Sequence, residues 1–450
     1  MTVSVVLFTA DLRLHDNPAL HAAVREADEV VPLFVYDDGV RAAGFDAPNR
    51  RAFLADCLAD LDAGLRARGG RLVVRSGEVV AQVCAVVAET GAERVHVAGG
   101  PSAYAVRREN ALRGALGADA LVVHDAVVTA LAPGAVTPAG NDHYAVFTPY
   151  LRRWTQQGVR EVVPLPRRVR VPELGSAEPR PREEVTGTSP GLMEGGEKAG
   201  RARLKAWLSS GLAGYEKGHD DLAADATSRL SPFLHFGALS ATELVHLARR
   251  EASSGAEAFV RQLAWRDFHH QVLAARPQAA HTDYRARGDR WRHDEREIEA
   301  WRTGRTGYPL VDAAMRQLAH EGWMHNRGRM LAASFLTKTL YADWRVGARH
   351  FLDLLVDGDI ANNQLNWQWM AGTGTDTRPN RILNPVVQGK RLDPRGTYVR
   401  RWIPELASVP DRHIHEPWNL PPTEAADGYP APLVELGEGR ERFERARGLV

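Results

Sequence analysis

An amino-terminal α/β domain on a parallel, doubly wound sheet, a long linker and an all-α domain form the fold class that three observations predict. Short β-branched runs alternate with helical stretches through the first 128 residues. Proline and a Ser/Gly/Glu-rich patch then dominate up to residue 198. From Arg201 onward the apolar periodicity is helical almost throughout.

The strand candidates are VSVVLF (3–8), VVPLFVY (30–36), RLVVRS (71–76), RVHVAG (94–99) and ALVVHDAVV (120–128), short apolar runs of the kind that a parallel sheet buries. Between the second and third, Arg51 to Ala67 puts Leu54, Cys57, Leu58, Leu61 and Leu65 on one stripe, as a crossover helix covering a sheet face requires. Cys57 is thereby assigned to the core rather than to reactive chemistry. No G-x-G-x-x-G follows the first strand, so a dinucleotide fingerprint is absent. Nine prolines from Pro133 to Pro190 and the patch Gly175 to Gly200 mark a connection too long for the inside of one compact domain, and it is expected to wrap the surface. GYPLVDAAMRQLAHEG (307–322) opens with proline near its first turn, aligns Val311, Ala314, Met315 and Leu318, and stops at Gly322. The limits read from these shifts are 1–128 (α/β), 129–198 (linker), 199–425 (helical) and 426–450 (tail).

With 450 residues, 44% hydrophobic and 25% charged, the chain can build two or three domains with ample core. No window approaches the roughly 18 uncharged apolar residues of a membrane span, and MTVSVVLFTADLR has neither a basic leader nor a small-residue cleavage site. A soluble, cytoplasmic protein is expected. Two cysteines, Cys57 and Cys84, exclude a disulfide scaffold and any four-cysteine zinc or iron–sulfur site, and no metal is expected. Lys plus Arg at 57 against Asp plus Glu at 56 leaves +1, so a nucleic-acid surface has to be a local patch.

The unusual residues cluster in the helical part. None of the 11 tryptophans precedes Trp154, and nine fall between Trp265 and Trp418. Core filling explains any one of them. The pair Trp367 and Trp369, however, follows DGDIANNQLN, whose carboxylates and amides suit a polar ligand. TSRLS (227–231), preceded by Tyr215, offers hydroxyls beside a helix start, which read either as a phosphate cradle or as an ordinary cap. WMHNRGRM (323–330) puts Asn326, Arg327, Arg329 and Met330 on one short segment suited to anions and base edges. From Asp376 to Trp402 seven Lys/Arg face two Asp, and from Arg261 to Arg292 seven Arg face three Asp, both interleaved with tryptophan. That composition fits phosphate contacts with base stacking, or a solvated face.

VVLFTADLRLHDNPAL, TSRLSPFLHFG, WRDFHH, GRTGYPLVDAAMRQL, GWMHNRGRM, DGDIANNQLNWQWMAGTGTD and HEPW (415–418) together resemble the photolyase and cryptochrome family over most of the chain, with microbial class I cyclobutane pyrimidine dimer photolyases as the most similar branch. The resemblance implies FAD, held in a U shape by the helical domain, and a light-harvesting antenna on the amino-terminal domain. It puts Tyr215, Thr227, Ser228, Leu230, Ser231 and Arg266 on the flavin, with Arg329 paired to Asp357, Asp357 and Asp359 near the ring, and Asn363 facing flavin N5. Trp367, Trp344 and Trp291 match a chain that carries an electron to the photoexcited flavin. The resemblance also implies a flipped-dimer pocket with Trp265 and Trp369 as walls, Asn326, Arg327 and Met330 as base and phosphate contacts, and Arg381 and Arg391 on the DNA backbone.

Two positions depart from the family pattern. Gln262 stands where most dimer photolyases have glutamate: an amide donates a hydrogen bond but offers neither acid proton nor charge. Glutamine here resembles the (6-4) photolyases, yet those carry a second histidine where this chain has Asn326. His219 replaces a common DNA-binding arginine. Asp37, Arg50, Arg51, Tyr104, Arg108 and Glu109 match antenna contacts, and AGFDAPNRRAFLADCL is more similar to users of 8-hydroxy-5-deazaflavin than of methenyltetrahydrofolate. The implied function is light-driven repair of pyrimidine dimers in UV-damaged DNA by a monomer, with a cryptochrome-like photoreceptor and a (6-4) photolyase as alternatives. The short stretch after HEPW favours repair, because signalling members often add a long extension there.

Overall fold

The computed structural model describes residues 1–421 and 428–450, so the expected limit at 425/426 lies outside the described residues. Two compact units emerge. The first contains Met1–Thr188, Met193–Glu216 and Ser228–Pro277; the second contains Ser189–Leu192, Lys217–Thr227 and the described residues from Gln278 to Val450.

In the first unit the five expected strands form: β1 (Val3–Leu7), β2 (Glu29–Asp37), β3 (Val73–Gly77), β4 (Arg94–Ala98) and β5 (Leu121–His124). Their order is β3-β2-β1-β4-β5 with every pair parallel. The parallel sheet and the predominantly helical remainder are the fold class that the alternation of strand and helix patterns predicts. Val5, Val31, Leu33, Val73, Val95 and Val97 share one core with Val83 and Val86 of the helix Val79–Thr90. The crossover helix runs from Pro48 to Arg66, and Cys57 is fully buried in it, where burial pushes its thiol up and Sγ accepts the Gly196 N–H at 3.3 Å. The proline-rich connection runs along β3, with the Ala177 N–H on the Val74 carbonyl at 3.1 Å. It also contains a helix that the proline count hid: Phe147–Gln156 buries Phe147, Tyr150 and Trp154 on one face.

The motif TADLRLHD locks this unit together. Arg13, 1% exposed, donates to the carbonyls of His15 (3.1 Å), Asp16 (2.9 and 3.2 Å), Val127 (3.2 Å) and Gly237 (2.9 Å). Asp16, with φ 51°, accepts two bonds from Arg160 (2.5 and 2.8 Å) and one from the Ser240 hydroxyl. A buried guanidinium is tolerable only when its donors are met in this way.

The second unit is helical. Its core packs Met315 and Leu318 of the helix Pro309–Glu321 with Phe335, Phe351, Trp301, Trp344 and Trp367. Pro309 opens that helix and Gly322 closes it in the left-handed conformation, φ 61°. The carboxy-terminal segment read as a tail contains the helix Leu436–Ala446, whose Phe443 is fully buried. Among the described residues no helix is long and apolar enough to cross a membrane.

Candidate functional site

In the first unit, the antenna candidates gather where β2 and β4 end, the edge at which open α/β sheets bind ligands. Asp37 closes β2 and accepts the Gly39 N–H at 2.8 Å and the Tyr104 hydroxyl. Tyr104, Arg108 and Glu109 lie on the helix Ala103–Leu116 that follows β4; Glu109 accepts the Gly100 N–H at 3.1 Å. Arg108 is half-buried with its Nε unpartnered, and burial pulls its pKa down. Arg50 instead donates to the Phe45 carbonyl at 2.7 and 3.1 Å and lies over that ring, and Arg51 is 3.7 Å from Asp46.

The helix Ser254–Ala275 carries Gln262, Trp265 and Arg266. Gln262 is exposed one turn before Trp265, hence on the same face. Trp265 stacks on Phe147, with centroids 3.6 Å apart and planes at 9°. Arg266 donates to the carbonyls of Val128 (2.6 Å) and Leu234 (3.2 Å), while Asp267 accepts from Ala130, Leu131 and Trp154, so this face is rigidly mounted. Tyr215 is buried edge-on to Trp207. Arg203 donates to the Ser228 carbonyl at 2.9 Å, Leu230 N–H reaches the Ser228 hydroxyl at 3.3 Å, and Ser231 opens the turn of helix Ser231–His235.

In the second unit, Arg329 joins Asp357 at 2.8 Å and the Met324 carbonyl at 2.8 Å. Asp359 caps the helix Ile360–Ala371 through the Asn362 N–H at 3.0 Å. One turn on, Asn363 spends both amide N–H groups, on the Ala348 carbonyl (3.0 Å) and Gln364 Oε1 (3.1 Å). Its Oδ1 is therefore the group it can offer to a ligand. Thr227 Oγ1 and the second oxygen of Asp357, Oδ1, are among the buried side-chain oxygens that have no hydrogen-bond partner.

The three tryptophans of the candidate chain differ in burial. Trp367 (2% exposed) and Trp344 (0%) are inside, and Trp291 is half-buried. Trp367 meets Phe351 and Trp301 edge-on at 4.8 and 5.9 Å, Trp344 Nε1 donates to Asp283 at 2.8 Å, and Trp291 lies 5.0 Å from Tyr341. Gly347 makes room for the Trp367 ring.

The DNA-contact candidates of this unit converge. One pocket is lined by Arg327, Met330, Arg381 and Arg391, and its neighbour by Met330, Trp369, Arg381 and Lys338; the two share Met330, Arg381 and Leu383. Arg327 is held bidentately by Asp220 at 2.6 and 2.9 Å, and Asn326 is exposed at the start of the same helix. Burial opposes the Asp220 charge, but the Arg327 bonds and charge win and hold its carboxyl below the usual range. His219 sits 3.3 Å from the same aspartate. Burial pushes His325, which caps the Asn326–Ser334 helix, down to about 4.

Two family models match: "DNA photolyase" over residues 4–170 and "FAD binding domain of DNA photolyase" over 259–447. Across its whole length the chain is 69% identical to the deoxyribodipyrimidine photo-lyase of Streptomyces griseus, all of which is covered. It belongs to the photolyase and cryptochrome family. Among solved structures, a class III photolyase from Agrobacterium tumefaciens superposes with a TM-score of 0.93 at 33% identity, covering 100% of this chain and 98% of that one. A Synechocystis cryptochrome gives 0.91 at 30%, covering 99% of each.

The residues present fit the flavin of this family. A buried hydroxyl or carboxylate oxygen left unpaired costs about 1–3 kcal/mol, and Thr227 Oγ1 and Asp357 Oδ1 are groups that a polar cofactor satisfies. Sequence reasoning missed Asp220 and Lys338. A lone lysine inside the apolar run FLTKTLY was the available signal for Lys338.

Proposed function

We propose that this chain is a light-dependent DNA repair enzyme acting on cyclobutane pyrimidine dimers. The observation that carries this reading is the full-length 69% identity to the Streptomyces griseus enzyme, and the convergence of Arg327, Met330, Trp369, Arg381 and Arg391 on adjoining pockets supports it. When bound, reduced FAD supplies, on excitation, the electron that opens the cyclobutane ring and receives it back. The protein's part is positioning and a fixed polar environment. Asn363 Oδ1 accepts a hydrogen from a protonated ring nitrogen, since its N–H groups are committed elsewhere. Asp357 is held by Arg329 and keeps one oxygen for the ring edge. Thr227, Ser228 and Ser231 offer hydroxyls to the phosphate and ribityl portion, for which Tyr215, Leu230 and Arg266 are the further contacts that the family pattern implies.

For the lesion, Trp265 is mounted on Phe147 and presents an aromatic face, Gln262 donates an amide hydrogen bond to a pyrimidine carbonyl, and Trp369 with Met330 offers apolar contact to an extruded, poorly stacked base pair. Arg327, Arg381 and Arg391 meet phosphates. Trp291, Trp344 and Trp367 restore the reduced flavin. The crevice with Asp37, Tyr104 and the unpartnered Nε of Arg108 is suited to an antenna, for which we favour 8-hydroxy-5-deazaflavin over methenyltetrahydrofolate.

Illumination of the reduced protein with an oligonucleotide carrying one thymine dimer, beside a (6-4) oligonucleotide and a dark sample, tests the reading. Light-dependent return of thymine absorbance with the dimer alone is expected. No recovery with either lesion despite normal flavin photoreduction refutes repair and favours the photoreceptor role suggested by the likeness to the Synechocystis cryptochrome.

A further inference from the structure

We infer that Lys338 is a positioning residue for DNA: it fastens the loop 376–383 to the end of the Asn326–Ser334 helix, so that Arg378 and Arg381 line one pocket with Met330 and Trp369. The inference rests on the reading that this pocket takes DNA.

The helix Asn326–Ser334 runs into a wide turn, Phe335–Thr339, closed by the Leu340 N–H on the Phe335 carbonyl at 2.9 Å. Such turns re-aim side chains and recur at functional sites. Here Lys338, 1% exposed, donates from Nζ to the carbonyls of Pro379 (2.9 Å) and Arg381 (2.5 Å). The adjacent Ser334 hydroxyl takes the Leu383 N–H at 3.1 Å, so the helix end grips the loop at three points. The Pro379 carbonyl also passes close to Gly372, where a Cβ would lie 2.3 Å from it, so the loop backbone is packed against the end of the Ile360–Ala371 helix. The loop also holds itself, through Arg378 N–H to Asp376 (2.8 Å) and Arg381 N–H to the Arg378 carbonyl (3.1 Å).

The charges around Nζ make this peg responsive to DNA. Asp376 and Arg381 face it from the loop and Arg447 from the carboxy-terminal segment, where Arg442 also bonds the neighbouring Thr339 carbonyl and the Phe443 ring stands 5.6 Å from Nζ. Burial, with the two arginines adding to it against Asp376, lowers the lysine to about 7. A polyanion in the pocket favours the ammonium, so binding draws a proton in. Charge-assisted hydrogen bonds are about twice as strong as neutral ones, so the protonated peg also holds the loop more firmly.

The test is titration of flavin-loaded protein, in the dark, with a fluorescent oligonucleotide carrying one thymine dimer, across salt and pH. Wild-type affinity is expected to fall up to about tenfold from about pH 6.5 to about pH 8.5, as the lysine loses its proton across the range around 7. Lys338→Met should flatten the pH profile and make the dependence of log Kd on log salt shallower by about two, as Arg378 and Arg381 lose their phosphates. Lys338→Arg, a permanent cation, should restore the salt slope while remaining flat with pH. If Lys338→Met misfolds, the wild-type and Lys338→Arg profiles still decide. A pH profile retained in Lys338→Arg, or an unchanged salt slope in folded Lys338→Met, overturns the role of Lys338 alone. Wild-type protein that binds no DNA overturns this inference together with the function on which it rests.

Discussion

Gly347 lies in the helix Trp344–Leu354, where replacement of glycine by alanine ordinarily gains up to about 1 kcal/mol from helix propensity. Here the sign should reverse. A Cβ at this position would sit 2.2 and 2.4 Å from Cη2 and Cζ3 of Trp367 and 2.6 Å from Cδ2 of Leu336. Carbon contacts settle at about 3.5–4.0 Å, so the indole must retreat by more than about 1 Å. It has nowhere to go, because Trp367 is 2% exposed and wedged between Phe351 and Trp301. Overpacking of this kind costs about 1–3 kcal/mol, leaving Gly347→Ala up to about 2 kcal/mol less stable after a propensity gain of about 1 kcal/mol. The thermal unfolding midpoint, followed by tryptophan fluorescence, should drop by up to about 2 °C, as expected for a chain of 450 residues. Photoreduction of the bound flavin should slow as Trp367 is displaced. A midpoint that rises, with photoreduction intact, would refute the argument that Trp367 is seated against Gly347.

Gln262→Glu should raise the quantum yield of dimer repair with little change in DNA affinity, since it adds charge and an acid group at an exposed position on the Trp265 face; a yield that stays flat or falls means the pocket is already adapted to the amide. Arg13→Met should cost about 3–5 kcal/mol, because the carbonyls of Gly237, Asp16 and Val127 lose a buried charged donor together; a loss under about 1 kcal/mol in thermal or denaturant unfolding contradicts the locking role of TADLRLHD.

What the sequence made legible is what local pattern controls. β1 to β5 fall within a few residues of their β-branched runs, and Pro309 with Gly322 brackets its helix as capping chemistry requires. The helix Phe147–Gln156 escaped because the surrounding prolines dominate the window, although Phe147, Tyr150 and Trp154 carry the helical spacing. Asp220 on Arg327 and Lys338 on the 376–383 loop join residues 107 and 41 to 43 positions apart, and no periodicity reports such pairings. The candidate flavin and lesion residues came from family resemblance. The geometry adds what resemblance did not contain, namely which Asn363 atom remains available and which oxygen of Asp357 lacks a partner.

The lock around Arg13 and Asp16 has a consequence for how this chain is made. Gly237 and Ser240, which complete it, each follow their partner by 224 residues. At about 5–20 residues per second, the ribosome needs roughly 10–45 s to deliver them after the arginine and aspartate emerge. Throughout that interval a guanidinium and a carboxylate destined for burial stand half-matched beside a strand that can already pair with its neighbours. The first strand to be translated thus waits for half of the chain before its own end is sealed.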